Sequence, residues 1–291
     1  MQDFEGKTAV ITGGASGIGL ALAEKFAAAR MNVVLADIQQ DALDTAVEQL
    51  KQRQANVIGV NTDTMLRASI DNLLAETVEA FGKVHILCNN AGVFGTKYVG
   101  LPAWEVPDVD WDWVMGVNFN GVRYGIQTFV PHMLAHDEPC HIVNTASLAA
   151  LIPGGGNYGV SKHAVLAFTE GLQRDLIAHD TNIRASVLCP GFVDTQIFAA
   201  ERNRPSDLDG ADVAETPRAF NGSAMTAIGK RPAEVANIVF ESIEQNRFYV
   251  LPHTSWDDLV LGRVQKVLAR GEVATFDMEL LQRRREAGED V

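Results

Sequence analysis

The strand-forming runs of this chain are continuous rather than alternating, and no other feature constrains its fold as much. Residues 7–12, 32–36, 56–60, 84–89, 141–145, 183–188 and 248–251 are mostly Val, Ile, Leu and Ala, with few polar interruptions. Such strands have apolar side chains on both faces, as in a parallel sheet covered on both sides by helices. Helical patterns fill the intervals at 17–29, 40–52, 66–81, 110–135, 158–178 and 232–245. Right-handed crossovers between parallel strands then give an α/β fold, a doubly wound sheet of about seven strands with helices on both faces: the Rossmann arrangement. No repeat or linker interrupts the pattern, and 47% hydrophobic residues suffice for one large core, so a single domain over 1–291 is expected.

Two regions depart from the rhythm. Residues 191–230 are polar and contain Pro205, Gly210, Pro217 and Gly222. A connection this long after the carboxyl end of a strand is expected to be a substrate lid. Residues 253–291 form a C-terminal extension with helical signal, whose role no motif specifies.

Charge and composition exclude several classes. With 24 Lys plus Arg against 37 Asp plus Glu the net charge is −13, which repels phosphate backbones and argues against nucleic acid as a partner. No apolar run approaches the roughly 20 residues of a membrane span, and the start lacks a basic or apolar signal core, so a cytoplasmic protein without a membrane partner is expected. Arg283, Arg284 and Arg285 stand among acidic residues and read as a solvated helix end. Cys88, Cys140 and Cys189 have neither metal nor redox spacing and read as buried thiols.

The first strand runs into Thr12-Gly13-Gly14-Ala15-Ser16-Gly17-Ile18-Gly19. Glycines at 13, 17 and 19 allow a tight turn, a close approach of backbone to a pyrophosphate, and helix packing on strand, with the helix N–H groups facing the phosphates. Asp37 ends the second strand, roughly 20 residues on, where a carboxylate can accept the adenosine ribose hydroxyls; a turn or helix-capping Asp is the plainer alternative. Ile38 follows it, and neither Ala15 nor Ser16 supplies a cation, so NAD is expected rather than NADP. Asp63 after the third strand and Asn90-Ala91-Gly92 after the fourth suit the adenine and the nicotinamide ribose, or ordinary turns.

Tyr158 and Lys162 are four apart on a helix and so share a face. Oxidation of an alcohol needs a base for the hydroxyl proton, and a free phenol is too weak an anion at neutral pH. An ammonium about 4 Å away, at an effective dielectric of 20, attracts a phenolate by ~4 kcal/mol, which is expected to lower the Tyr158 pKa. Ser147, just past a strand, can donate to the substrate oxygen. Asn118 sits inside the long helix, where an amide is a poor helix former, so a local distortion holding water near Lys162 is expected.

Thr12-Gly13-x-x-x-Gly17-x-Gly19, Asn89-Asn90-Ala91-Gly92, Asn118, Ser147, Tyr158-x-x-x-Lys162 and Pro190-Gly191, in that order over residues 5–200, resemble the short-chain dehydrogenase/reductase family. The resemblance implies Tyr158 as acid/base, Lys162 as the residue that lowers its pKa and binds the nicotinamide ribose, Ser147 as donor to the substrate oxygen and Asn118 as a proton-relay member. It implies that Pro190, Gly191, Val193 and Thr195 line the nicotinamide end of the cofactor site, and that the protein is a homodimer or homotetramer. Residues 191–205, the last strand and Trp256 are similar to a subgroup that oxidises benzylic carbinols of lignin-type aryl ethers. That similarity implies a bulky hydrophobic or aryl alcohol as substrate, with Phe94, Leu148 and Phe192 beside Ser147 as candidate contacts. The segment 247–253 lacks the family's usual glycine-rich close.

The expected function is NAD(H)-dependent interconversion of a small-molecule secondary alcohol and its ketone. A non-catalytic NAD-binding sensor or scaffold is the competing class, and it has no need of Tyr158, Lys162, Ser147 and Asn118 together. Sugar epimerisation on the same fold calls for a larger C-terminal domain. His132, His136, Cys140 and His141 lack the zinc-site pattern, and Asp108, Asp110 and Asp112 read as the acidic start of a helix rather than a calcium loop, so no metal is expected. Pro153-Gly154-Gly155-Gly156 reads as a flexible connection, and Phe94, Trp104 and Phe192 as core or pocket.

Overall fold

The computed structural model describes residue 1, residues 3–152, 154–210 and 229–275, and single positions between 280 and 288. Its centre is one seven-stranded parallel sheet, ordered β3-β2-β1-β4-β5-β6-β7. The strands are β1 (Thr8–Thr12), β2 (Asn32–Asp37), β3 (Val57–Asn61), β4 (Ile86–Asn89), β5 (Cys140–Thr145), β6 (Ile183–Leu188) and β7 (Tyr249–Val250). The helices are α1 (Gly17–Ala28), α2 (Gln40–Gln52), α3 (Arg67–Phe81), α4 (Asp108–Met115), α5 (Gly121–His136), α6 (Gly156–Ala178), α7 (Pro232–Glu244) and α8 (Asp257–Leu268).

The sheet is apolar on both faces, as the continuous runs predict. In β1, Ala9 and Ile11 join the core beneath α1, α2 and α7, with Leu22, Phe26, Leu43 and Val239. Val10, between them, turns to the other face and packs with Ile70 and Leu73 of α3, Phe129 and Met133 of α5, and Leu176 of α6. The period of two along each strand therefore feeds two cores. The chain runs outward from β1 in one direction to β2 and β3, and from β4 in the other to β5 and β6. The crevice between β1 and β4 is thus the place where such sheets bind ligands.

Local details refine the sequence expectation. The long helix is broken by a π-helical turn, Gly116–Asn120, which is the distortion predicted around Asn118. Within the described part of segment 191–230, short 3₁₀ turns form at Ile197–Asn203 and Ser206–Leu208. Local side-chain bonds, such as Arg204 to Glu201, hold these turns without any apolar period. The rest of the expected lid, 211–228, lies outside the described residues, as do Pro153 and Arg285. Among the described residues, no helix is long and apolar enough to cross a membrane. Arg284 does not stand free but pairs with Asp258 of α8.

Candidate active site

The carboxyl ends of the central strands open into a cleft of about 720 Å³. Gly13, Ser16, Gly17 and Ile18 line one wall. Gly13 has φ +63°, and a Cβ there would lie 2.9 Å from Ala91 Cα, so only glycine lets this turn meet the end of β4. Gly19 lies outside the lining; a Cβ on it would fall 2.0 Å from the Gly13 carbonyl oxygen. Its part is to seat α1 against the turn. No side chain accepts from the first N–H groups of α1, and no acidic residue stands in its first turn. Free N–H groups at the positive end of a helix fit an anionic pyrophosphate.

Asp37 Oδ2 accepts the Ala15 N–H at 3.1 Å, and its Oδ1 accepts the Gln39 N–H at 3.0 Å. The carboxylate therefore braces the glycine turn and the turn into α2, and retains lone pairs that fit ribose hydroxyls. Ile38 and Asp63 continue this wall, with Asp63 Oδ1 also accepting the Met65 N–H at 2.9 Å. Asn90, Ala91 and Gly92 complete it. Thr12 organises this end without having been singled out by sequence. Its hydroxyl oxygen accepts the N–H of Asn90 at 2.9 Å and of Ala91 at 3.1 Å, while the Asn90 amide donates to the Thr12 carbonyl at 3.1 Å.

Tyr158, Lys162 and Ser147 meet on the opposite wall. Ser147 opens the 3₁₀ turn Leu148–Ala150; its Oγ accepts the Ala149 N–H at 3.1 Å, donates to the Pro190 carbonyl at 3.4 Å, and stands beside the Tyr158 phenol, whose charged form it favours. Lys162 is buried, donates to the Thr145 carbonyl at 3.0 Å, and holds its ammonium 5.6 Å from the Tyr158 ring centroid. Asn118 is fully buried and outside the lining. Its Oδ1 accepts the Val93 N–H at 2.8 Å, and its Nδ2 donates to the Val93 carbonyl and to Ser161 Oγ, both at 3.0 Å. A Cβ on Gly92 would lie 3.3 Å from Lys162 Nζ and 3.4 Å from Asn118 Oδ1, so both polar atoms converge on that glycine.

The electrostatics correct one expectation. In the protein alone the Tyr158 phenol is raised above its ordinary value, because burial outweighs the opposing influence of the nearby Ser147 hydroxyl. Burial likewise pushes Lys162 down, to about 8. Two buried groups each resist charge, and the cost of desolvation exceeds the mutual attraction that the sequence argument counted.

The substrate candidates all face the cleft. Phe94 packs 4.9 Å from the Tyr158 ring and 5.2 Å from that of Phe198, centroid to centroid. Leu148 and Phe192 line the same space, and Phe192 lies 5.5 Å from Trp256, at the start of the C-terminal extension. Trp104 is 84% exposed and belongs to neither core nor pocket. Pro190, Gly191, Val193 and Thr195 run along the cleft, Thr195 against Gly17. The buried His253 clasps this run, accepting the Gly191 N–H at Nδ1 (3.0 Å) and donating from Nε2 to the Phe192 carbonyl (2.9 Å). No local signal marks such a clasp in sequence, because its partners lie about sixty residues away. Among the described residues the wall carries two cations, Lys162 and Arg202, and Arg202 was not counted in the sequence argument against NADP.

His85, His132 and His136 lie at the other end of the sheet, bonded to backbone and to Glu138. His132 accepts the Val84 N–H at 3.3 Å, His136 donates to the Val84 carbonyl at 3.0 Å, and His85 lies 3.0 Å from Glu138. Among the described residues, no three His, Cys, Asp or Glu side chains are arranged to hold a metal ion. Asp108 and Asp110 form the acidic first turn of α4, and Asp110 is also buried and ion-paired with Arg204. The three cysteines are buried free thiols.

Comparison with known proteins places these features in a family. The family model described as short chain dehydrogenase matches residues 7–206. A solved short chain dehydrogenase/reductase from Burkholderia phymatum, in complex with NAD, is 41% identical with a TM-score of 0.88 over 95% of this chain and 99% of its own. A CLA biosynthesis dehydrogenase/reductase of Lactiplantibacillus plantarum is 33% identical over 93% of this chain and 96% of its own length. A C alpha-dehydrogenase of Sphingobium sp. is 32% identical over 87% of this chain and 82% of its own length.

Proposed function

The chain belongs to the short chain dehydrogenase family, and from that premise we propose that it is a cytoplasmic NAD(H)-dependent oxidoreductase interconverting a bulky hydrophobic or aryl secondary alcohol and its ketone. The observation that carries this reading is the convergence of Ser147, Tyr158 and Lys162 on an apolar cavity beside the glycine turn. The glycine turn and the 190–195 run would hold the dinucleotide, which would supply the acceptor or donor of the hydride. The chain's own residues handle the proton and the oxygen. Tyr158 takes the hydroxyl proton of the alcohol, or returns it to the ketone oxygen. Ser147 donates to the same oxygen, and Lys162 stabilises the phenolate and holds the ribose, with Asn118 as the relay member behind it.

Phe94, Phe192, Phe198, Leu148 and Trp256 bound the space next to Tyr158, and aromatic and aliphatic walls favour an uncharged, bulky group. The relative named C alpha-dehydrogenase supports the aryl alternative. Asp37, with Ile38 beside it, supports NAD over NADP. A homodimer or homotetramer is the proposed assembly. Leu261, Val264 and Leu268 of α8 are exposed apolar side chains available to it.

The test is cofactor turnover with a panel of secondary alcohols, using NAD and NADP, for wild type and Tyr158→Phe. The wild type is expected to reduce NAD with aryl secondary alcohols, and the variant to lose roughly 10³-fold while still binding NAD. Tight NAD binding without turnover by either protein would favour the sensor class.

A further inference from the structure

Three pieces of chain, distant in sequence, bound the cavity next to Tyr158: the segment after β4 (93–98), the 3₁₀ turns after β6 (197–208), and the first turn of α6. All three are fastened to one buried ion pair, Arg204 with Asp110, whose side chains are each 2% exposed. Arg204 Nε donates to Glu201 Oε2 at 2.7 Å, and its guanidinium lies 4.0 Å over the ring of Trp113, which itself lines the cavity. Glu201 Oε1 accepts the backbone N–H groups of Thr96 at 2.7 Å and Lys97 at 3.0 Å, two and three residues beyond Phe94. Asp110 Oδ2 accepts the Asn157 amide at 2.6 Å, and Asn157 Oδ1 accepts the Tyr158 N–H at 2.8 Å. The Phe94 side of the cavity is pressed onto the same carboxylate, since a Cβ on Gly95 would lie 2.9 Å from Asp110 Oδ1.

A buried ion pair is a poor source of stability compared with an apolar pair of equal volume, because desolvation consumes the attraction. It differs from an apolar pair in direction. The planar fork of arginine and the two carboxylate oxygens each hold a partner at a set distance and angle. We propose that Arg204 and Asp110 are positioning residues that lock the Phe94 segment and the turns after β6 to the backbone of Tyr158, so that a bulky alcohol is presented to the phenol at a fixed height. The inference rests on the alcohol–ketone reading of the site for its chemistry, while the linkage itself is independent of it.

The test uses the full chain as Arg204→Ala and as the charge-neutral double variant Asp110→Asn with Arg204→Met, which keeps volume and leaves no unpaired charge at position 110. By hydrogen exchange, peptides covering 94–98, 156–159 and 197–208 are expected to lose protection together, by about tenfold or more, with α1 and β1 unchanged. NAD affinity is expected to hold within about twofold, while kcat for an aryl secondary alcohol falls by about 100-fold, more than KM rises, from misplacement alone. Free guanidinium is expected to restore part of kcat to Arg204→Ala. Loosening confined to 197–208, or a kcat unchanged in both variants, would overturn the proposal. If the wild type turns over no alcohol yet the three segments still loosen together, the linkage stands and the functional reading falls.

Discussion

The two walls of the cleft are built from different materials. The cofactor wall is backbone: a glycine turn, the first N–H groups of α1, and the ends of β1 and β4 stitched by Thr12 and Asn90. The substrate wall is side chain: Phe94, Phe192, Phe198 and Trp256, held by the Arg204–Asp110 pair and the His253 clasp. A backbone wall has little freedom to move, because its shape is the secondary structure itself. A side-chain wall yields at rotamers, and so can differ between related chains while the sheet stays the same.

One added methyl on each wall measures that difference, and here the largest effect is expected. Gly19→Ala would drive a Cβ to 2.0 Å from the Gly13 carbonyl oxygen and 2.7 Å from the Asn90 amide, so the turn itself must shift. NAD affinity is expected to fall by about 100-fold or more, with a loss of roughly 1–3 kcal/mol in stability from overpacking. Gly191→Ala, on the run at the nicotinamide end that His253 clasps, meets the His253 ring at 3.1 Å and a Leu148 methyl at 3.3 Å, contacts far less severe than those at Gly19. A loss of NAD affinity below about tenfold is expected there. Isothermal titration of both variants decides it, and a larger loss for Gly191→Ala would reverse the contrast between the walls.

The same contrast explains what the sequence made legible. The strands, the glycine turn and the positions of Tyr158, Lys162 and Ser147 were readable because each is a local pattern: a run, a turn motif, a helical spacing. The π-helical turn at Gly116–Asn120 was legible for the same reason, as an amide at odds with its own helix. Asp110 does stand in the acidic first turn of α4, but nothing near it in sequence announces that Arg204, 94 positions away, enters its shell. His253 and Thr12 act through backbone groups of distant segments, and hydrogen bonds to backbone leave no residue-type signature at the partner. The direction of the Tyr158 shift was missed for a related reason. The Coulomb attraction can be computed from a spacing, but burial is a property of the whole fold.

Where the two walls meet, pH offers the next largest effect. Oxidation needs the Tyr158 phenolate, and burial raises the phenol, so only a small fraction is ionised at neutral pH. Below the phenol's pKa that fraction grows about tenfold per pH unit, so kcat/KM for alcohol oxidation is expected to climb steeply from about pH 6. The climb is expected to slacken above about 8, where Lys162 gives up its proton and its support. Ketone reduction uses the neutral phenol and is expected to hold level before falling at high pH. Profiles in both directions check the sign. An oxidation rate independent of pH would remove Tyr158 from the role of base.

The smallest expected effect probes a bond that crosses from wall to wall on the adenosine side. The Gln39 amide, two residues after Asp37, donates to Asn203 Oδ1 at 2.7 Å, joining the cofactor side to the 3₁₀ turn after β6. The bond is partly buried and neutral, so it contributes about 0.5–1.5 kcal/mol, equivalent to roughly two- to tenfold in a rate or affinity. Since Arg204 is the next residue in the chain, the turn keeps its anchor on Asp110 when this bond is lost. Asn203→Ala is therefore expected to speed NAD release about threefold by stopped-flow fluorescence, with the melting temperature and kcat/KM for a bulky alcohol unchanged. If release is unaltered while alcohol selectivity changes, the turn serves the substrate wall alone. If both change together, the walls are a single mechanical unit, and the division between a backbone wall and a side-chain wall describes their construction but not their behaviour.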